Sequence, residues 1–183
     1  GGAKSTFENT QSKINSTYFY NQTELDLDQY GFRETFTPGT SFYNTDTLTK
    51  NDFRRNHSLA TRLEHNLDSN NILIVKASAR LSGGDNTNLQ QQLFSENDAL
   101  IRKLDLQNSG NLDSWRVNSM AIFRHRFKKK GRSFAVSAGY NTSQSDGTDN
   151  LASLNRFFEA NTYTQQVQQL NANANQMSQL KSS

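Results

Sequence analysis

The residues best equipped for chemistry in this sequence are its three histidines, His57, His65 and His125. His57 and His65 are eight residues apart on one side of an alternating, strand-like run. At about 3.4 Å per residue they stand roughly 27 Å apart, too far to share a metal ion. His125 lies near a turn. The segments "GGDNTN" and "SDGTDN" hold Gly and Asp but lack the ligand spacing of a calcium loop, and read as polar loop tips. There is no Cys, so neither a thiolate zinc site nor a disulfide framework is available. No nucleophile–base constellation stands out. The expectation is a protein that is not an enzyme, with no catalytic residue, cofactor or metal.

The remaining chemistry is positive charge. Lys128–Lys130 could meet phosphate or anionic lipid, but a solvated turn is the simplest reading of the run. The net charge of only +3 gives little support to nucleic-acid binding, and no nucleic-acid partner is expected. Four Asn-x-Ser/Thr triplets, at Asn15, Asn21, Asn56 and Asn141, read as chance matches in an Asn-rich chain.

Positioning these residues falls to β-strands. "KINSTYFYN", "FRRNHSLATRLEHNL", "NILIVKASARL", "WRVNSMAIFRHRF" and "RSFAVSAGYN" alternate apolar and polar positions, which gives each strand one greasy and one polar face. Arg62, Lys76, Arg80, Arg116 and Arg124 fall on the polar faces, with Glu64 the main counter-charge. Tyr20, Phe53, Trp115 and Tyr140 fall near one end of the apolar faces, and Phe127, with Phe134 and Leu67, near the other. The tail "LNANANQMSQL" alternates more weakly and could begin a further strand.

Short turns are expected near 67–71, where Asp, Ser and Asn take their usual roles, and near 128–131, where Gly131 is free to take positive φ. Long polar stretches near 22–52, 83–112 and 142–169 read as loops. Within the second, "LQQQLFSENDALIRKLDL" could instead form an amphipathic helix, but is assigned to the loop. The fold class is therefore all-β, an antiparallel up-and-down meander of about six long strands. Short turns at one end and long loops at the other is the connectivity of an outer-membrane barrel. The chain opens with "GGAKST", with neither a signal peptide nor an initiator Met, and is expected to be a single segment of an incomplete domain. Only 33% of residues are hydrophobic, mean hydropathy is −0.84, and no apolar run approaches the roughly 20 residues of a membrane helix. Barrel strands need only about 10 residues, apolar on alternate positions.

Several segments, "TYFYNQTE", "RRNHSLATRLEHNLDSNNILIVKASARLS", "FRHRFKKKGRSFAVSAGYNTSQSDG" and "SLNRFF", resemble the outer-membrane β-barrel family of Bacteroidetes, a relative of the TonB-dependent receptors. The resemblance runs from Ser12 to Phe158 and rests on two hairpins, His-x-Leu…Leu-Asp-Ser-Asn-Asn and Phe-Lys-Lys-Lys-Gly-Arg-Ser. Members carry a β-sandwich, a plug and a large barrel. Neither the sandwich nor the plug is recognisable here, nor is a closing C-terminal strand. The resemblance implies a place in the bacterial outer membrane and binding or transport of a ligand. It also implies contact with lipid, a plug domain and an energising periplasmic protein in the full-length protein, and a surface lipoprotein as a possible partner. Arg62, Lys76, Arg80, Arg116 and Arg124 would then face the lumen, and Tyr20, Phe53, Trp115, Tyr140 and Phe127 would form the aromatic girdles.

The alternation alone fits a second architecture equally well. A soluble or surface-exposed antiparallel β module, adhesin-like or carbohydrate-binding, would bury the same apolar faces in a sandwich. Its low hydrophobicity and its wealth of Asn and aromatic residues suit such a module.

Overall fold

Every described element is a strand. The computed structural model describes residues 1–129, 131–158 and 162–182. The strands are β1, Gly2–Glu8; β2, Ser12–Thr37; β3, Thr40–Asn66; β4, Asn71–Glu96; β5, Ala99–Arg126; β6, Ser133–Phe157; and β7, Tyr163–Ser182. All seven pair antiparallel with their sequence neighbours in one sheet, in the order β1 to β7. Among the described residues the strands thus number seven rather than about six, because the N-terminal Gly2–Glu8 and the tail Tyr163–Ser182 each form one.

The long loops expected near 22–52, 83–112 and 142–169 are instead strand. Residues 22–37 pair with 40–55, and 83–96 with 99–113. Residues 142–157 pair with 163–178, while 159–161 lie outside the described residues. The hydrophobic period vanishes here because both faces of these extensions mix polar and apolar residues, Leu25 and Leu27 on one face of β2 and Tyr30 and Phe32 on the other, while the backbone ladder needs no apolar residue to form. β4 and β5, with 26 and 28 residues, are therefore continuous ribbons, roughly 85–95 Å long at about 3.3 Å per residue.

Tight turns close both ends. Pro38-Gly39 joins β2 to β3, with Gly39 at φ +84, as the third residue of a type II turn requires. Asn97-Asp98 joins β4 to β5, both with positive φ, 47° and 66°. That is the conformation of a two-residue type I′ hairpin, and it settles "LQQQLFSENDALIRKLDL" as two strands and a turn, neither helix nor loop. At the opposite end the Asp68 carboxylate accepts the backbone N–H of Asn70 and Asn71 at 2.7 and 2.9 Å. Phe127–Arg132 closes β5 to β6 with Gly131 at φ +83; Lys130, part of the expected turn, lies outside the described residues.

The sheet is a single layer. Among the described residues the only buried hydrophobic side chain is Ile74, 3% exposed. No second layer of secondary structure among them covers either face.

Candidate functional site

Register sorts the side chains, because direct cross-strand partners lie on one face. Five successive rows near the Asp68 end form an apolar face. They run from Ser12–His65–Leu73–Phe123–Val136 to Tyr20–His57–Leu81–Trp115–Gln144. Between them lie Ile14–Leu63–Val75–Ala121–Ala138, then Ser16–Thr61–Ala77–Ser119–Tyr140, then Tyr18–Leu59–Ala79–Val117–Thr142. No Asp, Glu, Lys or Arg occurs in these rows on strands β2 to β6. Charge returns in the next row, where Arg55 pairs with Asp113 at 3.8 Å and Asp146 stands directly opposite Asp113.

The opposite face of the same rows holds the ionic groups. Arg62 lies directly opposite Lys76, and Arg80 directly opposite Arg116. Arg124 lies opposite Ile72. Arg62 pairs along its own strand with Glu64 at 3.0 Å. Hollows open here, one of about 940 Å³ around Arg80 and Arg116. A second, of about 430 Å³, lies beside Arg62 and Lys76. All five basic residues expected on the polar face are on one face of the sheet. The face also carries Ile72, Ile74, Met120 and Ile122, an apolar cluster near the Asp68 end.

The aromatic residues share the apolar face but not one level. Tyr20 and Trp115 lie in the same row, Phe53 pairs with Asp85 further out, and Tyr140 with Ser119 further in. These four sit mid-strand rather than at strand ends, because the strands continue into the polar extensions. Phe127 follows β5 and meets His125 edge-on, ring centres 4.6 Å apart.

The histidines serve local contacts. His57 Nδ1 lies 2.7 Å from the Tyr18 hydroxyl, His65 Nδ1 2.7 Å from Ser12 Oγ, and His125 Nδ1 2.7 Å from Asn71 Oδ1. No group of three or more metal-ligating side chains comes together among the described residues.

In the polar extensions, Asp52 and Arg54 form a paired fork, Nε to Oδ1 at 2.9 Å and Nη2 to Oδ2 at 2.8 Å. The guanidinium holds the Asp52 carboxyl below its usual range. Near the tips one row reads Phe94–Arg102–Phe157–Tyr163, with Phe157 and Tyr163 stacked at 4.5 Å and Arg102 over the Phe157 ring at 5.8 Å. This row was hidden from sequence reasoning inside stretches read as loop.

No family model and no curated protein matches the chain. Among solved structures, a membrane pore complex of pneumolysin aligns with 98% of this chain and 31% of its own, at 5% identity and TM-score 0.22. The siderophore receptor PiuA from Acinetobacter baumannii aligns with 94% of this chain and 41% of its own, at 10% identity and TM-score 0.18. The chain thus spans less than half the length of either.

Proposed function

We propose that this chain is wall of a bacterial outer-membrane β-barrel, in a TonB-dependent-receptor-like protein that binds or transports a ligand. The observation that carries the reading is the charge-free apolar face, with fixed charges confined to the reverse of the same rows. Leu73–Leu81 covers nine residues, within the about 9–11 that a tilted strand needs to cross a bilayer. Lipid would cover the apolar face, and the basic face would line the lumen or meet a plug. A soluble sandwich would need a second sheet over the apolar face, and the described strands all lie in one sheet.

Strands that continue past the membrane give a wall that extends into the external medium, where polar residues on both faces suit water on both sides. The resemblance to the Bacteroidetes family supplies the rest of the proposal. A plug and an energising periplasmic protein would work with the full barrel, a surface lipoprotein would dock outside, and no enzymatic step would be involved.

Trp115 is the only tryptophan, so its fluorescence reports one place on the wall. In protein folded into vesicles, lipids brominated near the headgroup should quench Trp115 more strongly than lipids brominated at the chain end. Equal fluorescence with and without brominated lipid would overturn the reading.

A further inference from the structure

The least compensated place on the sheet is the Arg80–Arg116 pair. The two are direct cross-strand partners, so their Cβ atoms are about 5 Å apart and their like charges repel. Among the described residues, neither guanidinium makes an ion pair or a hydrogen bond to another side chain. Three other cations on these strands have carboxylate partners. Arg54 holds Asp52, Arg62 holds Glu64, and Arg55 holds Asp113. The flanking positions are small and hydroxylated. Arg116 faces Ser143, and Ser78, Ser114 and Ser145 line the same hollow of about 940 Å³. Small side chains leave the space open, and hydroxyls donate hydrogen bonds. That volume falls at the upper end of the about 300–1,000 Å³ typical of small-molecule sites.

We infer that Arg80 and Arg116 form a binding subsite for a small solute bearing several oxyanion groups, a polycarboxylate or a phosphate ester. This rests on reading the basic face as the lumen. Paired guanidinium forks fit carboxylate or phosphate oxygens two at a time, which a single cation on a flat polar wall does not. The serine hydroxyls would take the remaining oxygens. An oxyanion between the two arginines replaces their mutual repulsion with attraction, so the ligand-free sheet is strained where the ligand binds.

The test uses the full chain folded in detergent micelles, with citrate, sulfate and a poly-glutamate peptide as probes in calorimetric titration. Citrate should bind more tightly than sulfate. Arg80→Gln and Arg116→Gln should each weaken citrate about tenfold or more, the loss expected for a charge-assisted hydrogen bond. Both variants should also unfold at higher urea than the parent when no anion is present, a gain that a merely structural arginine would not give. Arg62→Gln, whose partner is Glu64, should bind citrate as the parent does.

No citrate binding, or binding unchanged in both arginine variants, would overturn the inference. Binding of poly-glutamate with none of citrate would overturn it in favour of an acidic protein segment. If citrate fails while brominated lipid still quenches Trp115, only this inference falls. If Trp115 is also unquenched, the membrane-wall reading falls with it.

Discussion

Val75 and Ala121 are direct cross-strand partners, and the residues beyond them in the row, Leu63 on one side and Ala138 on the other, are apolar as well. One position along β4, Lys76 lies between Arg62 and Met120 on the reverse face. A single step along the backbone therefore separates the proposed lipid surface from the proposed lumen. Val75→Arg should lower folded yield in vesicles and destabilise by about 2–4 kcal/mol if the site is near mid-membrane. Lys76→Gln should fold like the parent. Heat-modifiable mobility on cold gels measures both.

The Asn97-Asp98 turn makes a second prediction. With Asp98 at φ 66°, a β-branched residue is strained while glycine is at ease. Asp98→Val should cost about 1–2 kcal/mol, the penalty of the left-handed region, and Asp98→Gly should cost nothing. Urea unfolding of the two variants in one detergent separates them.

Glycines inside the sheet are not equivalent. A Cβ at Gly84 would stand 2.7 Å from the Phe53 carbonyl oxygen, so the β3–β4 ladder would have to shift. At Gly139 the nearest atom, the Ser119 carbonyl oxygen, would be 3.4 Å away. Gly84→Ala should destabilise by about 1–3 kcal/mol, as overpacking does, and Gly139→Ala should be tolerated. Thermal melts in micelles decide it.

The inner end was far more legible than the outer. Leu73, Val75, Ala77, Ala79 and Leu81 announced β4 because one of their faces is apolar, and Asp68 with Asn70 and Asn71 announced its turn. Residues 83–96 gave no such signal. Thr87, Leu89 and Gln91 share one face and Asn88, Gln90 and Gln92 the other, so no period separates them. What holds that stretch is backbone pairing to β3 and β5, which leaves no mark on composition. The turn at Asn97-Asp98 was present in the sequence but was masked by a pattern that also suited a helix. The five basic residues were readable as sharing a face, yet their pairing was not. That Arg80 meets Arg116 and Arg62 meets Lys76 depends on a register fixed by both turns together.

Acid should loosen the Asp68 turn. Its carboxyl is held below the usual range, first by the Asn71 side-chain amide and then by the Asn70 backbone N–H. A depressed carboxyl contributes stability that is fully present above its unfolded value of about 3.9 and is lost as pH falls through the lower folded value. The thermal midpoint should hold at neutral pH and drop below about pH 4. Asp68→Ala should start lower at neutral pH and fall less steeply on acidification, with the parallel Asp52 contribution still present. An identical acid slope in parent and variant would remove Asp68 from the account.

The central claim is that adjacent residues on one strand face lipid and lumen, and it can be read at two positions. The chain has no cysteine, so Val75→Cys and Lys76→Cys each introduce a unique thiol. Each variant is folded into lipid vesicles and challenged with a membrane-impermeant, water-soluble maleimide admitted to both sides. The expected result is rapid labelling at 76 and protection at 75, with protection at 75 lost when the protein is unfolded in urea. Free labelling at 75 with shielding at 76, or equal labelling at both, would contradict the membrane wall.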